Sequence, residues 1–298
     1  MTDITILTDP RYTTDYPQDP YKHNVFLEDD LLLKALIGEG LKCNRVSWDD
    51  KDYQWCNSKA IIFRSTWDYF DRYDEFYPWL MHVKTQTLLI NSKELIEWNI
   101  DKHYLMDIKN NGVKIPKSVF IEKGNTIKLV EHCNDFNNNT IIIKPCISGA
   151  ARLTFKLSKH QIEAFNPKFN ELIKEEAFII QEFLKPIETF GEISLILFNG
   201  EFSHAVLKKA KPGDFRVQDD HGGTVHNYVP NLDEIHFAES AVKACPEMPV
   251  YARVDIASDN NGKLVLIELE LIEPELWLRH DKTFAKTMAK AIKKHIKP

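Results

Sequence analysis

Asp255, Glu268 and Glu270, with Arg253 beside them, lie on two alternating runs, 251–257 and 263–272, that flank the polar stretch 259–262. Asn-Gly between alternating strands is a strong hairpin signal. A two-residue turn at Asn261-Gly262 pairs Asn260 with Lys263, and each step outward keeps the sum of the partner numbers constant. Ile256 then faces Ile267, Val254 faces Leu269 and Ala252 faces Leu271, which makes one apolar face. On the other face Asp255 lies opposite Glu268 and Arg253 opposite Glu270. Like charges directly across a strand pair repel, so this face asks for a cation. Clustered carboxylates without histidine or thiol suit Mg²⁺, with Mn²⁺ as a substitute, better than zinc. The plain alternative is a solvated outer strand face. The run 264–267, apolar on both faces, argues that the acids emerge at the end of a buried strand instead.

A second set of candidates is cationic. Lys144 closes the apolar strand 141–143 and leads into Pro145-Cys146-Ile147-Ser148-Gly149-Ala150-Ala151-Arg152. Small side chains let backbone amides approach phosphate oxygens closely, with Lys144 and Arg152 adding charge at the edges. An ordinary hairpin tip has the same composition. Neither Gly-x-x-x-x-Gly-Lys-Ser/Thr nor Gly-x-Gly-x-x-Gly occurs. Gln181-Glu182-Phe183-Leu184 ends another strand and leads to Glu188. Such an exit can read a purine edge with its backbone and ribose hydroxyls with its carboxylate, or it can be a plain linker. Lys208 and Lys211 precede the loop 215–223, whose Arg216 and His221 are candidates for substrate carboxylate binding or proton movement. Arg64 follows a buried strand at an edge where α/β sheets place ligand groups, with Trp67 and Tyr69 beside it. His204, Trp277 and Leu278 read as packing.

Composition narrows the function classes. The 298 residues carry 38 Lys+Arg against 44 Asp+Glu, a net charge of −6 with no basic footprint for nucleic acid. No apolar stretch approaches a bilayer span, and the first residues lack the pattern of a secretion signal. Five cysteines without Cys-x-x-Cys spacing suggest neither a disulfide framework nor a zinc knuckle. A cytoplasmic protein is the expectation.

The elements that must position these groups fall into three regions. In the first, strands at 4–8, 60–64 and 87–90 alternate with a helix at 28–39 ended by Gly40 and a helix bearing Phe76, Trp79, Leu80 and Val83 on one face. Strand–helix alternation implies a small open, parallel α/β domain. The second, from Trp98, holds a helix over 101–110, strands at 118–121, 141–144, 153–157 and 177–183, and helical patterning before the last. The third is antiparallel sheet with helices at 233–245 and 282–295, its strands at 192–198 and 201–208 joined by Asn199-Gly200. The predicted boundaries are 1–97, 98–184 and 185–298.

In this order, Lys102, Lys144-Pro145, Gln181-Glu182-Phe183-Leu184, Glu188, Lys208, Arg253-x-Asp255 and Glu268-x-Glu270 resemble the ATP-grasp superfamily, in its glutathione-synthetase-like branch. The resemblance covers 98 to the C-terminus and implies an α/β and α+β architecture: an ATP-grasp fold behind an N-terminal pre-ATP-grasp α/β domain. It implies that Lys102 and Lys144 contact ATP phosphates under a loop of Ser148, Gly149, Ala150, Ala151 and Arg152. Gln181, Glu182, Phe183 and Leu184 would line the adenine slot, with Glu188 on the ribose. Asp255, Glu268 and Glu270 would hold Mg²⁺, and Arg253, Lys208 and Arg216 would serve catalysis and substrate. Glu270 stands where the superfamily usually has Asn. The segments 148–152, 215–223 and Glu268-x-Glu270-x-x-Glu273-Pro274, with 64–69, look like the group of the O-ureido-serine cyclo-ligase of cycloserine biosynthesis.

The implied activity is ADP-forming carboxylate ligation, or intramolecular cyclisation, on a small amino-acid-like substrate through an acyl phosphate. Partners would be a small-molecule carboxylate and a nucleophile, with a homodimer admitted by the resemblance and neither nucleic acid nor membrane. An ATP-grasp kinase, a nucleotide-binding module without catalysis and a metal-dependent phosphodiesterase are the competing readings.

Overall fold

A computed structural model describes residues 1–133, 136, 139–149, 151–217 and 222–296. The chain opens with β1 (Thr2–Thr8), α1 (Pro20–Gly38), β2 (Cys43–Ser47), β3 (Ser58–Ser65), α2 (Tyr73–Val83) and β4 (Leu88–Ile90). Its four strands form a parallel sheet in the order β2-β1-β3-β4. The helix expected over 28–39 begins earlier, because Asp19 accepts the Tyr21 and Lys22 amides and Pro20 occupies the first turn, where it needs no donor. Gly40, at φ 86°, closes it in the left-handed conformation. Strand β2 escaped the sequence reading because all its residues are half-buried and show no alternation.

The next stretch carries two helices, α3 (Lys93–Ile100) and α4 (Tyr104–Asn110), where one was expected over 101–110. Ser92 caps α3 by accepting the Leu95 amide at 3.1 Å. Then come β5 (Ser118–Ile121), α5 (Leu129–Cys133), β6 (Thr140–Pro145), β7 (Phe155–Ser158), α6 (Lys159–Leu172) and β8 (Phe178–Glu182). These strands make an antiparallel sheet, β5-β8-β6-β7. Ile162 and Phe169 of α6 pack on Ile141, Ile143 and Phe178, so the sheet has its own core.

The third sheet, β11-β10-β9-β12-β13, follows the short α7 (Pro186–Thr189). Its elements are β9 (Glu192–Phe198), β10 (Glu201–Lys209), β11 (Thr224–Tyr228), α8 (Leu232–Lys243), β12 (Tyr251–Ser258), β13 (Leu264–Glu270) and α9 (Lys282–Lys293). One face packs against α4 and α8 through Leu195, Val254 and Leu269 meeting Leu105, Ile108 and Ala241. At one end of the opposite face, Ile196, Phe198 and Tyr251 bury against α9, α1 and β1. The other end of that face carries the polar side chains described below.

Register decides which side chains reach that end. The turn at 259–262 is one residue longer than expected, with the Asp259 amide donating to the Lys263 carbonyl at 2.7 Å. Asp259 Oδ1 accepts the Asn261 and Lys263 amides, which holds this longer turn. Ile256 therefore pairs with Leu266, not Ile267, and a bulge between Asp255 and Ile256 restores Asp255 opposite Glu268 and Arg253 opposite Glu270. The β9–β10 hairpin also carries a bulge, between Phe202 and His204, and this sets Lys208 opposite Glu192. Both hairpins thus shift register once between turn and site.

Candidate active site

The site begins with four neighbouring strands. Ser194 on β9 pairs in register with Asp255 on β12, Asp255 with Glu268 on β13, and Lys208 on β10 with Glu192 on β9. Asp255, only 2% exposed, accepts from Ser194 Oγ at 2.5 Å, from Lys208 Nζ at 3.2 Å and from Arg253 Nη2 at 3.0 Å. Arg253 also pairs with Glu270, and Lys208 with Glu192. Trp277, buried and held at φ 50°, lies under both cations, 5.4 Å from Arg253 and 6.0 Å from Lys208.

The electrostatics follow from these pairings. Burial works against the Asp255 charge, but Arg253 and Lys208 hold its carboxyl well below the ordinary range. Burial opposes Glu268 too, yet Lys102 and Lys144 keep it low. Glu270 goes the other way. Burial, with Asp255 and Glu268 nearby, outweighs Arg253 and pushes it up to about 7. Burial next to Glu270 also raises Glu273 well above the usual range.

Lys102 precedes α4 and ties two parts of the site together: its ammonium donates to the Ser148 carbonyl at 2.7 Å and meets Glu268 at 3.1 Å. Lys144, at the end of β6, lies in the same field, and burial lowers its proton affinity while Glu268 raises it. The loop after it approaches the segment between β3 and α2, where a side chain at Gly149 would come within 2.5 Å of the Phe70 ring. Ala150 lies outside the described residues. Arg152 lines the cavity but its guanidinium is bound to Glu176 at 2.5 Å and 3.0 Å.

These groups border a cavity of about 590 Å³ that reaches all three sheets. Gln181, Glu182, Phe183 and Leu184 form one wall; Gln181 is anchored on Ser118 at 3.0 Å, and Asn260 ties down the Phe183 carbonyl and the Lys185 amide. Glu188 is not part of the lining, which has Ile187 instead; Glu188 pairs with Lys156, whose ammonium sits 4.1 Å over Phe183. Arg216 lines the cavity and bonds Asp214 within its own loop at 2.8 Å, while Gln218 and His221 lie outside the described residues.

Arg64 does not reach the cavity. It is 2% exposed and donates to the Pro274 carbonyl at 2.8 Å. Trp67 and Tyr69 do line it, together with Arg11, Tyr12 and Tyr21 from the segment after β1. Arg11, Tyr12 and Tyr21, and the contributions of Ser194 and Glu192, were missed from sequence. Ser194 and Glu192 alternate with core residues on β9, and the β10 bulge is what sets Glu192 opposite Lys208.

The donor set, carboxylate oxygen without histidine or thiol, suits a divalent cation. Among the described residues, only Asp101, His103 and Cys146 bring three ligand atoms within 4.8 Å of one another. The Asp255, Glu268 and Glu270 oxygens are spread further, each drawn to a lysine or arginine.

Residues 100–291 match the RimK-like ATP-grasp domain. The chain belongs to the RimK-like ATP-grasp family. This ATP-grasp chain is an ATP-dependent ligase, and its residues 4–91 match the N-terminal domain of D-cycloserine synthetase DcsG. It is 28% identical to the cycloserine biosynthesis protein DcsG of Streptomyces lavendulae over 290 residues, 90% of this chain and 93% of that one. D-cycloserine synthetase DcsG superposes with a TM-score of 0.83 at 24% identity, covering 99% of each chain. The ATP-grasp ligase PsnB, solved with a precursor variant, Mg and ADP, gives a TM-score of 0.65 at 13% identity and 99% coverage of each. No helix among the described residues is long and apolar enough to cross a membrane.

Proposed function

We propose that the protein uses Mg²⁺-ATP to activate the carboxylate of a small amino-acid-like substrate as an acyl phosphate. A nucleophile then captures it, with ADP and phosphate released. The observation that carries this reading is the placement of Arg253, Asp255, Glu268 and Glu270 across one strand pair, facing Lys102 and Lys144 in one cavity. The likeness to DcsG over nearly the whole chain supports the substrate class.

In-line attack of a carboxylate on a γ-phosphate needs charge neutralisation and positioning more than covalent help. Lys102 and Lys144 take the phosphates, and Arg253 meets the charge developing on the transferring group. The wall from Gln181 to Leu184 takes the base. Asp255, Glu268 and Glu270 would hold the divalent cation, which neutralises phosphate oxygens when bound. Ser194 and Lys208 keep Asp255 ionised and oriented. The segment from Ser148 to Arg152 excludes water from the acyl phosphate. Functionally we divide the chain into an N-terminal unit to residue 97, a lid unit of 98–184 and a catalytic unit of 185–298, working in the cytoplasm.

The test is ADP release with Mg²⁺-ATP and hydroxylamine across a panel of amino acids and small carboxylic acids. Acid-dependent ADP with a hydroxamate product is expected. ADP accompanied by a phosphorylated product, or no ADP with any acid despite ATP binding, would overturn the ligase reading.

A further inference from the structure

Cys146 directly follows β6 and is 1% exposed. Its main chain is fixed on both sides: the amide donates to the Ala177 carbonyl at 2.9 Å, and the carbonyl accepts the Lys102 amide at 3.0 Å. Its sulfur has no hydrogen-bond partner among the described residues. That sulfur lies within 4.8 Å of both a carboxylate oxygen of Asp101 and a ring nitrogen of His103. Spacing along the chain does not show this trio, because Cys146 belongs to a different element from Asp101 and His103. A buried thiol is ordinarily a small apolar group, and the packing of Cys146 among Leu105 and Ile179 fits that role. The imidazole beside it calls for more.

His103 Nδ1 lies 2.6 Å from Asp101 Oδ1, and its Nε2 lies 3.0 Å from Glu122 Oε1. A neutral imidazole carries one N–H, so it can donate to only one of these carboxylates. With Nε2–H on Glu122, Nδ1 turns its lone pair on an anionic oxygen, and the two repel unless a cation joins them. A second ring proton would satisfy both carboxylates but would leave the sulfur without a partner. A metal ion at Nδ1 engages all three atoms. Glu122 is then the carboxylate that stands behind a ligating imidazole and fixes its tautomer. The ring is held further by stacking on Phe120 at 4.5 Å, and Asp101 Oδ1 by the His103 amide at 3.0 Å.

We propose that Asp101, His103 and Cys146 form a binding site for a zinc-type divalent cation, with water as the fourth ligand. The site is separate from the carboxylates that would hold Mg²⁺. One sulfur, one nitrogen and one oxygen suit zinc or cobalt, whereas Mg²⁺ takes oxygen alone. Ligand atoms about 2.0–2.3 Å from one zinc ion stand roughly 3–4 Å apart, so the trio closes by drawing in about an ångström. The thiol proton leaves to solvent as the metal–sulfur bond forms. Lys102 lies between two of the ligands, and its ammonium reaches the Ser148 carbonyl and Glu268. The ion therefore clips the segment before α4 to the end of β6 and fixes Lys102 against the loop that follows.

The probe is Co²⁺, titrated into the metal-free full chain with excess Mg²⁺ present to occupy the carboxylate site. A thiolate-to-cobalt charge-transfer band should appear in the near ultraviolet, saturate at one ion per chain and vanish on adding equimolar Zn²⁺. Cys146→Ser should lose the band, which separates Cys146 from the exposed Cys56. His103→Gln changes a partly exposed side chain and tests the site even if the serine variant misfolds. It should weaken Co²⁺ binding by more than about tenfold, and Glu122→Gln by about tenfold, the usual cost of losing the group behind a ligand. Circular dichroism checks that each variant is folded. No band in wild type, a band that survives Cys146→Ser, or unchanged cobalt affinity in His103→Gln would each overturn the site.

Discussion

Trp67 donates its indole N–H to the main-chain carbonyl of Glu273 at 2.8 Å, joining the N-terminal domain to the segment that leaves strand β13. Arg64 makes the parallel contact one residue on, at the Pro274 carbonyl. The motif from Arg64 to Tyr69 thus clamps the segment after β13, with only Trp67 and Tyr69 of the motif reaching the cavity.

Trp67→Phe removes the donor and keeps an aromatic ring. Leaving a partly buried carbonyl unpaired costs about 1–3 kcal/mol, and the loosened segment carries Glu273. The expected result is a several-fold fall in product formation with ATP binding nearly unchanged. Titration calorimetry and steady-state rates check it; weakened ATP binding would show that the clamp acts on the nucleotide instead.

Glu268 faces Lys102 and Lys144, so Glu268→Gln leaves two cations without their shared carboxylate. ATP turnover should fall at least about 100-fold, in line with loss of transition-state charge stabilisation, while circular dichroism stays native. Lys144→Ala should be equally inactive. Near-normal turnover in folded Glu268→Gln would remove this residue from the metal assignment.

Asp255 is the common partner of Lys208, Arg253 and Ser194 in a buried cluster. Asp255→Asn strips the charge that Lys208 and Arg253 share, leaving Lys208 with Glu192 and Arg253 with Glu270. Breaking a buried pair in this way costs about 3–5 kcal/mol, visible as a lowered denaturation midpoint. Asp255→Asn combined with Lys208→Met should recover part of that stability without recovering activity. A single variant as stable as wild type would show that the cluster contributes nothing to folding.

The acidic strand pair was legible from sequence because alternation and an Asn-Gly turn fix which side chains share a face. Even there the turn length was off by one, and the bulge before Ile256 cancelled the error for Asp255 and Arg253. Bulges leave no mark on apolar periodicity, so the partner of Lys208 was not readable. The roles of Arg64 and Trp67 depend on contacts more than 200 positions away along the chain. Glu188 shows the converse, a residue in the expected order whose side chain is taken by Lys156.

His204 provides a pH signature outside the catalytic groups. Its ring stacks on Phe284 at 3.7 Å, and Nε2–H donates to the Leu276 carbonyl at 2.7 Å, next to Trp277. Burial lowers its pKa from 6.5 to about 4. Between those values the unfolded chain binds a proton that the folded protein does not, so stability falls as pH drops from 6.5 towards 4. At about 1.4 kcal/mol per unit, the full effect is roughly 3 kcal/mol. His204→Gln can keep the donor to Leu276 but has no charge to gain, so its stability should depend less on pH across that window than wild type. Urea denaturation midpoints at pH 7 and pH 5 check this. Identical pH slopes for the two proteins would mean that His204 titrates alike folded and unfolded, and that the 276–278 segment is not locked by it.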